Sequence, residues 1–151
     1  MMRLARPDDL AAVLSVTSAA YEPYRALLGS PPLPMTEDYV PRIGRREVWV
    51  CEDEATISAL AVIERHADHL MIFSLAVAPA FQGQGLGVGL LKFADGKAAD
   101  WALPEVRLYT NSRMERNIAL YRAHGFQETG RRPNPHRPGW LLVDMVKTIK
   151  D

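Results

Sequence analysis

The sequence predicts a mixed α/β (α+β) domain, with one central, mostly antiparallel sheet of about six or seven strands flanked by about four helices. Two observations predict the sheet. Strand-like alternation over Val48–Glu52 and Thr56–Arg65 is joined by a tight turn, and a strongly apolar run, His69–Val77, follows. A third observation predicts the mixture. The glycine-rich run Gln82–Gly89 leads from that apolar strand into a helical pattern and then into another strand. A strand, helix and strand in this order form a crossover unit, which puts a parallel pair into the sheet.

Leu4 and Ala5 read as a short first strand. Pro7-Asp8-Asp9 starts a helix, with Asp8 expected to cap free backbone N–H groups. Leu10, Val13, Leu14 and Thr17 follow at helical spacing. Gly29–Pro34 breaks the pattern and reads as a loop between two helices, because too little chain precedes it to make a domain. Thr36-Glu37-Asp38 starts a short second helix that ends near Gly44. Asp53-Glu54-Ala55 turns the chain between the first two strands of the meander, and Ile57, Ala59, Ala61 and Ile63 share one face of the second. Ala67-Asp68 makes the next turn. The continuity of His69–Val77 predicts a central strand buried on both sides. Pro79 ends it. The helix after the glycine run reaches about Trp101, with Leu86, Leu90, Leu91, Ala94 and Ala98 on one side. Pro104 starts the strand Val106–Thr110, and Met114–His124 is a helix stopped by Gly125 as its C-cap. Phe126–Thr129 and Trp140–Lys147 are the final strands, separated by the loop Arg131–Gly139, and helices are expected on both faces of the sheet.

A chain of 151 residues suits a single domain over residues 1–151 with one core. Hydrophobic residues make up 48% and charged residues 24%, the balance of a globular protein. Basic and acidic residues number 18 each, so no global field favours nucleic acid or an anionic membrane. No apolar run is long enough to span a bilayer, and the N-terminus lacks the apolar stretch of a signal peptide. The one cysteine, Cys51, cannot form an internal disulfide. It lies in an apolar run and reads as a core thiol, and a cytoplasmic setting is expected. No His, Asp or Glu cluster has metal-ligand spacing, so no metal is expected.

The glycine run reads Phe81-Gln82-Gly83-Gln84-Gly85-Leu86-Gly87-Val88-Gly89 and holds no acidic residue. A helix N-terminus presents unpaired N–H groups and partial positive charge, which attract phosphate. Glycine lets the backbone come close and adopt positive φ. The dinucleotide fingerprint Gly-x-Gly-x-x-Gly fails, because its last position is Val88 counted from Gly83 and Leu90 counted from Gly85. The NTPase phosphate loop fails too: Gly96-Lys97 has Leu91 where the first glycine belongs and Ala98 where the hydroxyl belongs.

Gln82, Gly85 and Gly87 fit a third pattern, Gln/Arg-x-x-Gly-x-Gly/Ala, and farther along lies Asn117-Ile118-Ala119-Leu120-Tyr121-Arg122-Ala123-His124-Gly125-Phe126. Together these resemble the two cofactor motifs of the GNAT superfamily of N-acetyltransferases, and the resemblance extends over most of the chain. Ala119 sits one place earlier than in some members. The resemblance implies acetyl-CoA as cosubstrate and direct acetyl transfer to a primary amine on a small molecule, without an acetyl-enzyme. A protein or peptide amine, or a non-catalytic acetyl-CoA-binding sensor, are the alternatives. It implies a pyrophosphate held by backbone N–H groups of Gln82, Gly83, Gln84, Gly85, Leu86, Gly87 and Val88. It also implies a pantetheine arm laid against Leu75, Ala76 and Val77 like an added strand, with the Leu75 N–H facing the thioester carbonyl. Asn117 is expected on the arm and Tyr121 as the general acid. Where some members carry a basic Glu, this chain has Met71. Glu64, His66 or a water relay are the candidates for the base. The acceptor is expected near Tyr21, Tyr24 and the loop Arg131–Gly139, whose basic residues would suit a carboxylate; Trp140 and that loop read as acceptor cover or interface. A homodimer is compatible with the resemblance.

Overall fold

The computed structural model describes residues 1–135 and 137–149. Seven strands, β1 (Met2–Leu4), β2 (Val48–Asp53), β3 (Thr56–Arg65), β4 (Leu70–Val77), β5 (Glu105–Asn111), β6 (Gln127–Pro133) and β7 (Leu141–Thr148), form one sheet in the order β1-β2-β3-β4-β5-β7-β6. Five α-helices accompany them: α1 (Leu10–Leu28), α2 (Leu33–Thr36), α3 (Tyr39–Gly44), α4 (Leu86–Asp100) and α5 (Glu115–Ala123). The expected mixed, mostly antiparallel sheet is borne out. The chain divides into two compact units, residues 1–64 with 73–90, and residues 65–72 with 91–151.

In the first unit β1 runs antiparallel to β2, with Arg3 opposite Val50, and β2 runs antiparallel to β3, with a bulge at Cys51/Glu52. The turn between β2 and β3 places Glu54 and Ala55 at φ 50° and 66°. That is the left-handed pair a two-residue hairpin needs to match strand twist. The unit's core gathers Val13 and Val16 of α1, Tyr39 and Ile43 of α3, Val48 and Val50 of β2, Leu60 and Val62 of β3 and Ala76 of β4. Cys51 is buried and free, as expected.

Three local expectations shift. Asp9, not Asp8, closes the entrance to α1: its carboxylate accepts the Arg6 N–H at 2.7 Å and is clasped by the Arg3 guanidinium at 2.8 and 3.1 Å. Leu14 is exposed and Val16 takes the inward place, because one residue is a 100° step round a helix. The break at Gly29 is real, with Gly29 at φ 75° as the left-handed cap, but residues from Leu33 form one helical turn before α3. Asp38 caps α3 by accepting the Val40 N–H at 3.1 Å.

The largest shift concerns which strand is buried on both faces. In β4 the even residues Leu70, Ile72, Ser74 and Ala76 are buried, while Met71, Phe73, Leu75 and Val77 are half-buried. In β3 the six residues Ser58–Ile63 are buried without interruption. Ala59 and Ala61, with short side chains, permit close packing on one face of β3 while Leu60 and Val62 enter the core on the other.

In the second unit β4 pairs in parallel with β5 through Leu70–Val106, Met71–Arg107 and Ile72–Leu108. β5 and β7 run antiparallel from Glu105–Thr148 to Asn111–Leu142, and β6 lies antiparallel to β7 with a shift at Glu128/Gly130. β6 continues through Arg131, Arg132 and Pro133, so the connection expected as Arg131–Gly139 is a shorter loop. Val106, Leu108, Val143 and Met145 bury the inner face of the strands, and Leu91, Ala94 and Ala98 bury one side of α4.

The Arg3 clasp holds the Asp9 carboxyl at about 2, against an ordinary 3.8, and lowers that of Glu52 as well. A depressed folded-state value stabilises the fold above the unfolded pKa and is lost as pH falls through the folded one. The partly exposed Asp9 pair is therefore expected to contribute about 1–2 kcal/mol above pH ~4, disappearing toward pH ~2. Urea melts over that range check it: Asp9→Asn should be less stable than wild type at pH 6 and converge with it near pH 2.

Candidate cofactor and catalytic site

The chain leaves β4 through a single 3₁₀ turn, Pro79–Phe81, closed by the Phe81 N–H donating to the Ala78 carbonyl at 2.8 Å. The Gln82 side chain folds back and donates from Nε2 to the Val77 carbonyl at 3.2 Å. Gly83 and Gly85 follow at φ 80° and 79°. A Cβ at either would meet no heavy atom within 4 Å, so what restricts these positions to glycine is backbone conformation, not crowding. The Gly89 N–H makes a helical bond to the Gly85 carbonyl at 3.0 Å. The Leu86, Gly87 and Val88 N–H groups precede it, in the first turn, where a helix supplies no carbonyl. No carboxylate stands in this run. An open turn of backbone donors at the start of a 15-residue helix fits a pyrophosphate.

The strand feeding this loop is braced from α1. The Tyr21 hydroxyl donates to the Leu75 carbonyl at 3.0 Å and meets the Ser74 Oγ at 3.2 Å. Burial pushes the Tyr21 hydroxyl above its ordinary range, which keeps it a donor. Its ring is tilted against Tyr24, with centroids 6.1 Å apart. Tyr21, expected near the acceptor, thus turns its hydroxyl into β4. Leu75 and Val77 lie on the half-buried face of β4 and Ala76 on the buried one.

One candidate base meets a charged residue to which the sequence reading gave no role. Arg42, buried in α3, donates to Glu37 at 2.8 Å, to Glu47 at 3.1 Å and to Glu64 at 2.9 Å. Its guanidinium lies 3.9 Å over the Phe73 ring, on the half-buried face of β4. Glu64, a candidate base, is therefore an ion-pair partner of Arg42. Neither Arg42 nor Phe73 carries a sequence motif. The other candidate base, His66, belongs to the second unit and stacks on His69 with centroids 4.6 Å apart.

The second unit positions Asn117 and Tyr121 one turn apart on α5. The helix ends as expected at Gly125, φ 105°, where the Gly125 N–H donates to the Arg122 carbonyl and the Phe126 N–H to the Tyr121 carbonyl, both at 3.0 Å. That closure folds buried Phe126 edge-on against the Tyr121 ring, centroids 6.0 Å apart. Beyond the helix end, Asp95 of α4 accepts from Lys147 at 2.6 Å and pairs with His124 at 2.8 Å. The Tyr121 ring is thus held by a helix cap, and the cap is held by a charge cluster.

A profile of the GNAT acetyltransferase domain matches residues 44–128. The chain belongs to the GNAT acetyltransferase family. Over 75 residues, half of this chain, it is 35% identical to the mycothiol acetyltransferase of Jonesia denitrificans. The match covers only 24% of that protein, so the chain corresponds to about a quarter of it. The fold of this GNAT protein is shared with the ribosomal-protein-S18-alanine N-acetyltransferase of Escherichia coli. The TM-score is 0.79 at 22% identity, covering 100% of this chain and 94% of that one. It is shared as well with the PaiA N-acetyltransferase of Thermoplasma acidophilum, solved with coenzyme A, at a TM-score of 0.81 and 17% identity over 98% of both chains. No helix among the described residues is long and apolar enough to cross a membrane.

Gly85 and Gly89 separate conformational from steric effects in this GNAT loop. Gly85→Ala is expected to cost about 1–2 kcal/mol through its left-handed φ. Gly89→Ala, helical and with nothing near its Cβ, is expected to be neutral or to stabilise by up to about 1 kcal/mol. Chemical denaturation of the two variants measures the difference.

Proposed function

We propose that this GNAT protein is an N-acetyltransferase that uses acetyl-CoA directly and acts on a primary amine of a small molecule. The observation that carries the reading is the open turn at Gly83 and Gly85, which starts α4 with unpaired backbone donors and no carboxylate. The acetyltransferase domain match supports it, and the coenzyme A bound by the Thermoplasma neighbour agrees with the ligand. The name of the Jonesia relative supports a small-molecule substrate rather than a protein.

Bound acetyl-CoA would supply an acetyl group activated as a thioester. In this reading the N–H groups of Gln82–Val88 hold its pyrophosphate, and the backbone of Leu75, Ala76 and Val77 lines its arm. Tyr21, bonded to the Leu75 carbonyl, holds that stretch of β4 in place. The Leu75 N–H stabilises negative charge developing on the carbonyl oxygen. Asn117 orients the arm, and Tyr121 holds the proton that the departing thiolate takes. The proton lost by the amine passes to Glu64, His66 or a water relay.

Calorimetry with coenzyme A tests the loop: Gly85→Asp, which adds a like charge and a strained φ, should weaken binding by about tenfold or more. Equal affinity would refute the assignment. Tyr121→Phe should lower kcat by about 10²-fold with coenzyme A affinity near wild type; unchanged kcat would remove Tyr121 from the chemistry. Release of coenzyme A on a panel of small amines, amino acids and peptides tests the acceptor class. Turnover confined to peptides would overturn the small-molecule assignment, and binding without turnover on any amine would point to a sensor.

A further inference from the structure

The short helix α5 carries Asn117 and Tyr121, yet burial does little to hold it. Of its nine residues only Ile118 is buried, and an isolated helix of that length is marginal in water. Contacts at its ends therefore set where its side chains point. At the C-terminal end the Tyr121 carbonyl accepts the His124 N–H at 3.1 Å and the Phe126 N–H at 3.0 Å. The Phe126 ring also meets the Tyr121 ring edge-on, so residues 124–126 hold Tyr121 both by backbone and by ring.

Those residues are anchored in turn by one carboxylate. Asp95 of α4 receives Lys147 Nζ and His124 Nε2 on the same oxygen, Oδ2, at 2.6 and 2.8 Å. A carboxylate only accepts, so His124 Nε2 carries a proton. The His124 ring lies at 29° to the Phe126 ring, with centroids 6.3 Å apart, and fixing His124 fixes one side of Phe126. The Lys147 stem runs over Gly125, where an added Cβ would stand 3.4 Å from Lys147 Cε. Helix α4, strand β7 and the end of α5 thereby converge on Asp95.

Stability alone does not account for this carboxylate. Its other oxygen, Oδ1, is buried without a hydrogen-bond partner among the described residues. An unpaired buried acceptor is costly, and well-packed apolar side chains in place of a buried ion pair are often as stable or more so. What apolar packing lacks is direction. Hydrogen bonds from Lys147 and His124 to one oxygen hold the His124 ring in a single orientation.

We propose that Asp95 is a positioning residue for Tyr121: through His124 and Phe126 it fixes the direction of the Tyr121 ring and so the aim of its phenol. The inference rests on the reading of Tyr121 as the proton donor and names the residue on which that role depends.

A first test needs no acceptor. The chain has five tyrosines, and 3-fluorotyrosine labelling gives each a ¹⁹F signal, with Tyr121→Phe assigning that of Tyr121. Asp95→Ala should move or broaden this signal and leave the other four in place. Amide exchange at Phe126, whose N–H closes the cap, should quicken by about tenfold or more. His124→Leu should act in the same way, while His124→Gln, which keeps an N–H to offer Asp95, should stay near wild type. An unmoved Tyr121 signal in Asp95→Ala, or one that shifts together with the other four, would overturn the positioning role.

Turnover is measured with the amine of the panel that releases coenzyme A fastest. Asp95→Ala should lower kcat by about tenfold and keep coenzyme A affinity within about twofold of wild type. In a Tyr121→Phe background the same substitution should lower kcat no further, because its effect passes through the phenol. Losses that multiply would overturn the inference, since a general structural defect acts with or without the phenol. A Tyr121→Phe variant with wild-type kcat, or a panel without turnover, refutes the catalytic reading instead, and the ¹⁹F signal alone then decides the positioning.

Discussion

The constraint on which the molecule turns is the left-handed backbone at Gly83 and Gly85. The chain must leave a strand, reverse the curvature of its backbone twice and enter a helix with its first donors uncovered. An L side chain at either position would cost about 1–2 kcal/mol. The space around both glycines is open, so a side chain would be tolerated sterically and penalised conformationally. That distinction matters for function. A loop that needed glycine for packing would be filled by protein, whereas this loop needs glycine only to aim its N–H groups outward.

Much of the first unit keeps that loop where it is. β4 alternates between a buried face that joins the core and a half-buried face that does not. Tyr21 hydrogen-bonds the backbone of β4 from α1, and Arg42 covers Phe73 from α3 while gathering three carboxylates. Three carboxylates around one buried guanidinium, with Arg45 also on Glu47, leave the group with a net negative balance. A buried ion network of this sort contributes little net stability, because desolvation offsets attraction, but loss of Arg42 alone would strand three carboxylates. In the second unit the analogous device is Asp95, which joins Lys147 and His124 beside the cap of α5. In both units the groups of the candidate site stand on regular elements whose ends are held by specific hydrogen bonds.

The sequence made the elements legible because each has a local cause. Alternation and turn residues located β2, β3 and β4, helical spacing located α4 and α5, and Gly125 marked the end of α5 within one residue. The two motifs of the candidate site were legible for the same reason, since each is a contiguous run. What was misjudged depended on neighbours. A continuous apolar stretch made His69–Val77 look buried on both faces, yet β3, with its alanines, is the strand buried on both. Asp8 and Asp9 are neighbours in the same turn, and the Arg6 N–H and the approach of Arg3 single out Asp9.

By itself, then, the sequence determined the order of elements, the mixed sheet, the family and the glycine loop. Each of these is encoded within a window of a few residues to a few tens of residues, through periodicity, φ preference or a compact motif. Only the tertiary structure decided that Tyr21 braces Leu75, that Glu64 is paired with Arg42, and that Arg113 reaches the Trp140 ring. Those are contacts between residues tens of positions apart, and the chemistry of a lone Arg, Glu or Tyr is the same wherever it lies. Which partner it finds is set by strand register and turn geometry, and neither is written beside the residue itself.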